Sequence, residues 1–212
     1  MRHALAPVPK LVLATTVFAV VHSVLASRAA KSLAARVAGQ RASDAWYRPL
    51  FNVQAVAMTA WWLRAVLRPP DRELWRAPPG LAAAMVSGQL AAALWMVRAA
   101  RTVGVGALLG VPGARAWLRG EPVPPPQEAQ GPAPSAGAMD ARGPFRRSRH
   151  PLNTAPIALL WLQPRMTRHR LLATVLATAY FIVGSRHEEH RLRRAYGERY
   201  ERYRRGGSRF LA

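Results

Sequence analysis

Apolar residues gather along this chain in long uncharged runs instead of alternating with polar ones. The runs cover residues 11–27, 49–63, 77–97, 151–164 and 171–185, and nearly every gap between them is filled with arginine. A bilayer core needs about 20 apolar residues, within a range of about 17 to 25. The first and third runs meet that length outright, and the second reaches it when Arg64 lays its stem toward the headgroups, so that Val66 and Leu67 count. The last two runs are about 14 or 15 residues long. Joined by Pro164-Arg165-Met166-Thr167-Arg168-His169-Arg170, they read as a tight helical hairpin that crosses with help from flanking arginines and Trp161. Buried helices of a soluble bundle are the alternative for segments this short. Such a bundle shows polar faces at 3.6 spacing, whereas residues 11–26 offer only Thr15, Thr16, His22 and Ser23 among apolar neighbours. The pattern predicts an all-α integral-membrane bundle of about five transmembrane helices, closing in a C-terminal helical hairpin and an amphipathic C-terminal helix.

Composition alone hides this. With 212 residues, 50% of them hydrophobic, and a mean hydropathy of −0.04, the chain averages out like a soluble protein because its charge is clustered. The clustering also orients it. With five crossings, alternate connecting segments share a side, and Lys plus Arg then divide 22 against 9. The positive-inside tendency places the C-terminus in the cytoplasm and the N-terminus outside, as a multi-pass protein of the cell membrane. A net charge of +21 could instead serve nucleic-acid binding, with Trp and Tyr as stacking platforms. Their placement argues against this: Trp46, Tyr47, Trp61, Trp62, Trp75, Trp95, Trp161 and Tyr180 lie in or beside the apolar runs, as an interfacial belt does. Membrane lipids with anionic headgroups are the expected partner of the arginines. The absence of cysteine excludes disulfides, Cys-based metal sites and thiol catalysis. The first run is long enough to be a span and not a cleaved leader, with cleavage after Ala26 as the alternative.

Three regions follow: N-terminal transmembrane helices over residues 1–118, a linker over 119–143, and a C-terminal region over 144–212. Residues 121–143 hold Pro122, Pro124, Pro125, Pro126, Pro132 and Pro134 and almost nothing to bury, which predicts an exposed extended linker. Gly104-Val105-Gly106-Ala107-Leu108-Leu109-Gly110 lacks the preceding strand and following acid of a nucleotide loop, and reads as small-residue helix packing or a flexible turn.

The chemistry sits in the C-terminal region. Arg149-His150-Pro151-Leu152-Asn153-Thr154-Ala155 opens the hairpin, Arg186-His187-Glu188-Glu189-His190-Arg191-Leu192 follows it, and Tyr196-Gly197-Glu198-Arg199-Tyr200-Glu201-Arg202-Tyr203 comes last. This ordered set resembles the isoprenylcysteine carboxyl methyltransferase and phospholipid methyltransferase superfamily, membrane enzymes that use S-adenosylmethionine. Its pattern runs Arg-His-Pro-x-Tyr-x-Gly, an apolar hairpin, Arg-x-Glu-Glu-x-x-Leu and an aromatic-Gly-x-x-Tyr-x-x-Tyr helix. Asn153 stands where the motif has Tyr, and Ala155 where it has Gly. Upstream, Trp117-Leu118-Arg119-Gly120, Gly143-Pro144-Phe145-Arg146 and His22-Ser23-Val24-Leu25-Ala26 are similar to the branch holding bacterial methanethiol S-methyltransferases and NnrU-type proteins.

The resemblance implies an S-adenosylmethionine-dependent methyltransferase that acts on an apolar thiol, carboxylate or lipid acceptor. Glu188, Glu189 and Arg149 are its candidate catalytic residues; His150, Pro151, Leu152, Asn153, Glu188, Glu189, Tyr196 and Tyr200 are its candidate cofactor-binding residues. Carboxylates suit the cofactor's ribose diol and amino group. Glu188 and Glu189 point about 100° apart on a helix, so one can face the cofactor while the other holds Arg149. Pro151 suits a helix start whose free N–H groups would receive the cofactor's carboxylate, with His150 adding a hydrogen bond. Asn153 supplies a hydrogen bond but no aromatic wall. Leu192, Tyr196, Tyr200 and Tyr203 fall on one helical stripe, as a lid or as a wall for the adenine. Solvated ion pairs, Glu189 with Arg193, Glu198 with Arg202 and Glu201 with Arg205, are the plain alternative for these acids. No metal site is expected. His187 and His190 stand at i,i+3, and His22 is alone in the first run, which is thin support for a metal or haem. The competing function is a non-catalytic or haem-linked NnrU-like accessory membrane protein with a decayed cofactor site.

Overall fold

The computed structural model describes residues 7–68, 71–125, 134–135, 138–139, 141–206 and 209–211. Helix dominates: α1 (Pro7–Ala26), α2 (Arg28–Ala38), α3 (Gln40–Leu67), α4 (Pro79–Val103), α5 (Val105–Leu109), α6 (Val111–Leu118), α7 (Pro151–Trp161), α8 (Arg168–Tyr196) and α9 (Glu198–Arg205). Short strands β1 (Glu73–Arg76), β2 (Pro134–Ser135), β3 (Ala138–Met139) and β4 (Arg165–Thr167) and a 3₁₀ turn over Gly143–Arg146 complete the described elements. Within them, three helical segments are long and apolar enough to cross a membrane: Val8–Ala26, Gln40–Leu67 and Pro79–Val103. Their outward faces carry bare apolar side chains, among them Val20, Val24, Leu50, Val56, Leu90 and Leu94. A soluble protein covers surfaces of that size, whereas lipid leaves them as they are.

The chain divides into two compact units, the first made of residues 1–72, 106–127 and 168–173, the second of 73–105, 128–167 and 174–212. In the first, α1 and α3 lie antiparallel. Trp62 donates its indole N–H to the Thr15 hydroxyl at 2.9 Å near one end, and the Tyr47 hydroxyl donates to the Leu25 carbonyl at 2.7 Å near the other. Leu11, Val66 and Ala173 form the buried cluster of that unit, flanked by Trp62 and Leu172. The charge-rich stretch after α1 is not a simple connection. Ser27 caps α2 by accepting the Ala30 N–H at 3.2 Å, and Gly39 at φ +83° ends it, so that α3 begins nine residues before Pro49. Charge counting missed this helix because Arg28, Lys31 and Arg36 make it look like a solvated gap.

α5 and α6 pack on α3 through glycine. A Cβ at Gly113 would stand 2.9 Å from the Asp44 carbonyl oxygen and 3.2 Å from the Ala45 Cα. Gly110, at φ +78°, sits against the Pro49 ring. The small-residue stretch therefore serves helix approach, though at Gly110 and Gly113 and not at Gly106, which faces open space.

In the second unit α4 packs against α7, with Gly88 against Leu162 and the Gln89 amide donating to the Leu159 carbonyl at 3.1 Å. α7 is 11 residues, about 16 Å long at a rise of about 1.5 Å per residue. Non-helical residues Leu162 to Pro164 carry the chain on to β4, which pairs antiparallel with β1. Glu73 ties this two-stranded sheet, accepting from both Arg76 and Arg165. α8 returns along α7: Thr174 reaches the Leu160 carbonyl, Thr178 accepts from the Trp161 indole, and Ser185 accepts from Asn153. α8 continues without a break past Arg186 to Tyr196.

Two expectations need correction. Residues 121–125 of the linker are irregular and mostly exposed, and 126–133 lie outside the described residues, but Met139 is buried against Leu192 and Tyr200. The linker's far end is thus packed because the aromatic cluster offers its one long apolar side chain a site. The Leu192–Tyr203 stripe is also not one helix: Gly197, at φ +49° and ψ −126°, breaks it between α8 and α9. That conformation is closed to residues with a Cβ.

Gly113→Val should lower stability by about 1–3 kcal/mol through overpacking, read as a lower thermal midpoint in detergent. Gly106→Ala, with open space around it, should leave the midpoint unchanged or slightly raised.

Candidate functional site

The start of α7 and the polar end of α8's apolar stretch meet in the second unit. Buried positions Ser185, Glu188, Glu189 and Leu192 are spaced i, i+3, i+4, i+7, so one face of α8 turns inward and carries both carboxylates with it. Pro151 opens α7, and His150 is its cap residue. The antiparallel pairing of these helices brings Arg149 and His150 to the acids.

Arg149 donates from Nε to Glu189 Oε1 at 2.7 Å, with both side chains about nine-tenths buried. The His150 ring, 3% exposed, is wedged between the carboxylates, Nδ1 3.4 Å from Glu188 Oε2 and Nε2 3.5 Å from Glu189 Oε1. Its backbone N–H donates to the buried Ser148 hydroxyl at 3.2 Å. Tyr200 is fully buried, and its hydroxyl lies close enough to Glu189 to feel that charge. Two buried polar atoms, His150 Nε2 and Tyr200 Oη, make no conventional hydrogen bond.

Burial opposes ionisation of Glu189. The hydrogen bond and charge of Arg149, with His150 and Tyr200 alongside, outweigh it and hold the carboxyl below its ordinary value. Burial and then the Glu189 charge push the Tyr200 phenol well above its ordinary value, so it keeps its proton. Outside the cluster Glu189 also touches Arg193 at 3.6 Å, and Arg193 bridges onward to Glu201 at 3.1 Å. Glu201 takes Arg204 at 2.9 Å, three residues on, in place of the expected Arg205.

Other expected residues have different placements. Asn153 does not face the cluster as a free amide: its Nδ2 donates to Ser185 at 2.8 Å and ties α7 to α8. The N–H groups of Asn153 and Thr154 both turn to the His150 carbonyl at 2.9 Å, so the helix start has at most the Leu152 N–H left to offer. Ala155, where the motif has Gly, is buried. Tyr196 is half-buried and packs with Met139, Leu192, Tyr200 and Tyr203, while the Tyr203 hydroxyl donates to the Phe145 carbonyl at 2.7 Å. His187 and His190 are exposed, away from the buried acids. His22 stacks on Phe18 and tilts against Phe51 in the first unit.

One contributor has no forerunner in the motif. Residues 209–211 lie across the cluster: the Arg149 N–H donates to the Arg209 carbonyl and the Arg209 N–H to the Arg147 carbonyl, each at 2.8 Å. The Thr154 hydroxyl donates to the Leu211 carbonyl at 2.6 Å. Phe210 sets its ring edge-on to His150 at 5.3 Å and beneath the Arg149 guanidinium at 5.8 Å. An aromatic wall is thus present, supplied by Phe210 where Asn153 has none.

No family model, curated protein or solved structure matches the chain.

Because Glu189 ionises more readily in the fold than in the unfolded chain, it adds stability above the unfolded carboxyl value of about 4.3. That contribution is lost as pH falls through the depressed folded value. Glu189→Ala, which removes the carboxylate 2.7 Å from the nearly buried Arg149, should cost about 3–5 kcal/mol at neutral pH and flatten this acid limb. Unfolding midpoints in detergent from about pH 7 to about pH 3 give the comparison.

Proposed function

We propose that this protein is an integral-membrane methyltransferase dependent on S-adenosylmethionine, acting on an apolar thiol, carboxylate or lipid acceptor that reaches the site from the bilayer. The observation that carries the reading is the closure of Arg149-His150-Pro151 onto Glu188 and Glu189, with His150 held between the carboxylates. These are the segments through which the chain resembles the membrane methyltransferases.

The residues fit the cofactor's chemistry. Glu188 and Glu189 are acceptors for an ammonium or a diol, and His150 Nε2 and the Tyr200 hydroxyl, buried without a conventional hydrogen bond, are polar groups that a ligand would satisfy. Once bound, S-adenosylmethionine would supply a methyl group on an electron-poor sulfonium, open to in-line attack. The chain's own part is positioning and exclusion of water. Arg149 holds Glu189 ionised, the buried pair keeps the carboxylate in one orientation, and Tyr200 and Phe210 wall the polar cluster with apolar surface.

The proposed topology has five crossings, α1, α3, α4, α7 with its extension, and α8, with the N-terminus outside and the C-terminus in the cytoplasm. The pairing of β1 with β4 favours it, since these strands belong to the connecting segments that the charge division puts on the same, lightly charged side. The second reading, an accessory protein with a decayed site, draws on the Asn153–Ser185 bond and on the C-terminal residues packed over His150.

Titration calorimetry of detergent-purified protein separates the two. The enzyme reading expects S-adenosylmethionine to bind, and Glu188→Gln to weaken it by roughly 10–100-fold, the worth of one charge-assisted hydrogen bond. Absent wild-type binding, the accessory reading stands. A Soret band in the purified protein would move it to the haem-linked class.

A further inference from the structure

We propose a second, independent binding site in the first unit: a seat for one anionic diacyl phospholipid where the start of α1 meets the end of α3. Trp61, Arg64 and Arg68 form one stripe along the last turns of α3, at spacings of 3 and 4. The stripe is a ridge between two open apolar grooves. One, about 530 Å³, runs along Ala60, Leu63 and Leu67; the other, about 420 Å³, lies between α3 at Ala65 and α1 at Leu13 and Ala14, with Lys10 at its mouth. Neither groove is lined by an acid.

The cations are held in place and lack a counter-charge. Leu11 and Val66 are buried in one cluster and Trp62 is bonded to Thr15, so Lys10 and the Arg64–Arg68 turn are fixed at the same end of the antiparallel pair. Lys10, Arg64 and Arg68 are exposed and make no ion pair with any described residue. Asp71, the acid nearest along the chain, is taken up by the His169 N–H, at 3.0 and 3.2 Å from its two oxygens. Three cations around one point, with an apolar groove on either side, complement a phosphate that carries two acyl chains. A free inorganic anion would leave both grooves unfilled, and a zwitterionic headgroup brings its own cation to a place that already holds three. Trp61, amphipathic and half-exposed on the ridge, suits the headgroup level.

The site rests on the reading of α1 and α3 as membrane spans, and on no part of the methyltransferase reading. Its test uses the chain's only two lysines, Lys10 and Lys31, as reporter and internal control. The intact protein in detergent is labelled with an amine-reactive reagent, and the two labelling rates are read by mass spectrometry during titration with phosphatidylglycerol, phosphatidylcholine or inorganic phosphate. Phosphatidylglycerol is expected to slow labelling of Lys10 relative to Lys31, with little effect from the other two. Arg64→Gln with Arg68→Gln, which keeps the reporter, should weaken that protection about 30-fold, from roughly fivefold per cation at an anionic lipid surface. Equal protection by phosphatidylcholine, protection by phosphate alone, or parallel protection of Lys31 would each overturn the site. Failure of the span reading shows separately, as protein that stays monodisperse without detergent.

Discussion

A charge cannot sit out of water alone, and the second unit is organised around that constraint. Glu189 and Arg149 lie some 40 residues apart in sequence and both are nearly withdrawn from solvent. Removing either would take the closest opposite charge from a nearly buried ion, so their pairing helps fix where the start of α7 stands against the end of α8. His150 is caught between the two carboxylates as a result, and Tyr200 and Phe210 close the sides. Asn153 to Ser185 and Thr154 to Leu211 then lock the same helices with uncharged bonds. Hydrophobic packing adds to this, through Met139 against Leu192 and Tyr200.

Much of the helical layout can be read from the runs of apolar residues, because a stretch that needs no polar partner leaves a plain one-dimensional trace. α1 and α4 coincide closely with two of those runs. α2 and the first turns of α3 do not, since Arg28, Lys31, Arg36 and Arg41 look like a solvated gap until Ser27 and Gly39 are recognised as start and stop signals. The meeting of Arg149 and His150 with Glu188 and Glu189 is foreshadowed by hairpin geometry: two helices joined by a short basic turn must run antiparallel, and their far ends must meet. What stays hidden is what approaches from elsewhere. Phe210 and Met139 carry no local pattern, and only tertiary contact gives them a role. Asn153 misleads in the other direction, because a polar residue at a motif position invites a ligand reading while its amide is taken up by Ser185.

The first unit follows a different rule. Its helices touch along narrow seams, Trp62 with Thr15 and Gly113 with the α3 backbone, and leave broad apolar faces outward. In water such faces would drive association; in lipid they are neutral, and the seams alone decide the geometry. Small residues and single side-chain hydrogen bonds therefore carry the specificity that a large core carries in soluble proteins.

Gly197 has a consequence for how such a site could change over time. Its backbone turns α9 away from the line of α8, and its carbonyl accepts the Tyr200 N–H at 3.1 Å, so it sets where Tyr200 comes to rest near Glu189. Any side chain there would force a new turn and swing the phenol with it. Drift at this one hinge would thus retune the acid's surroundings while every polar residue of the cluster stayed the same.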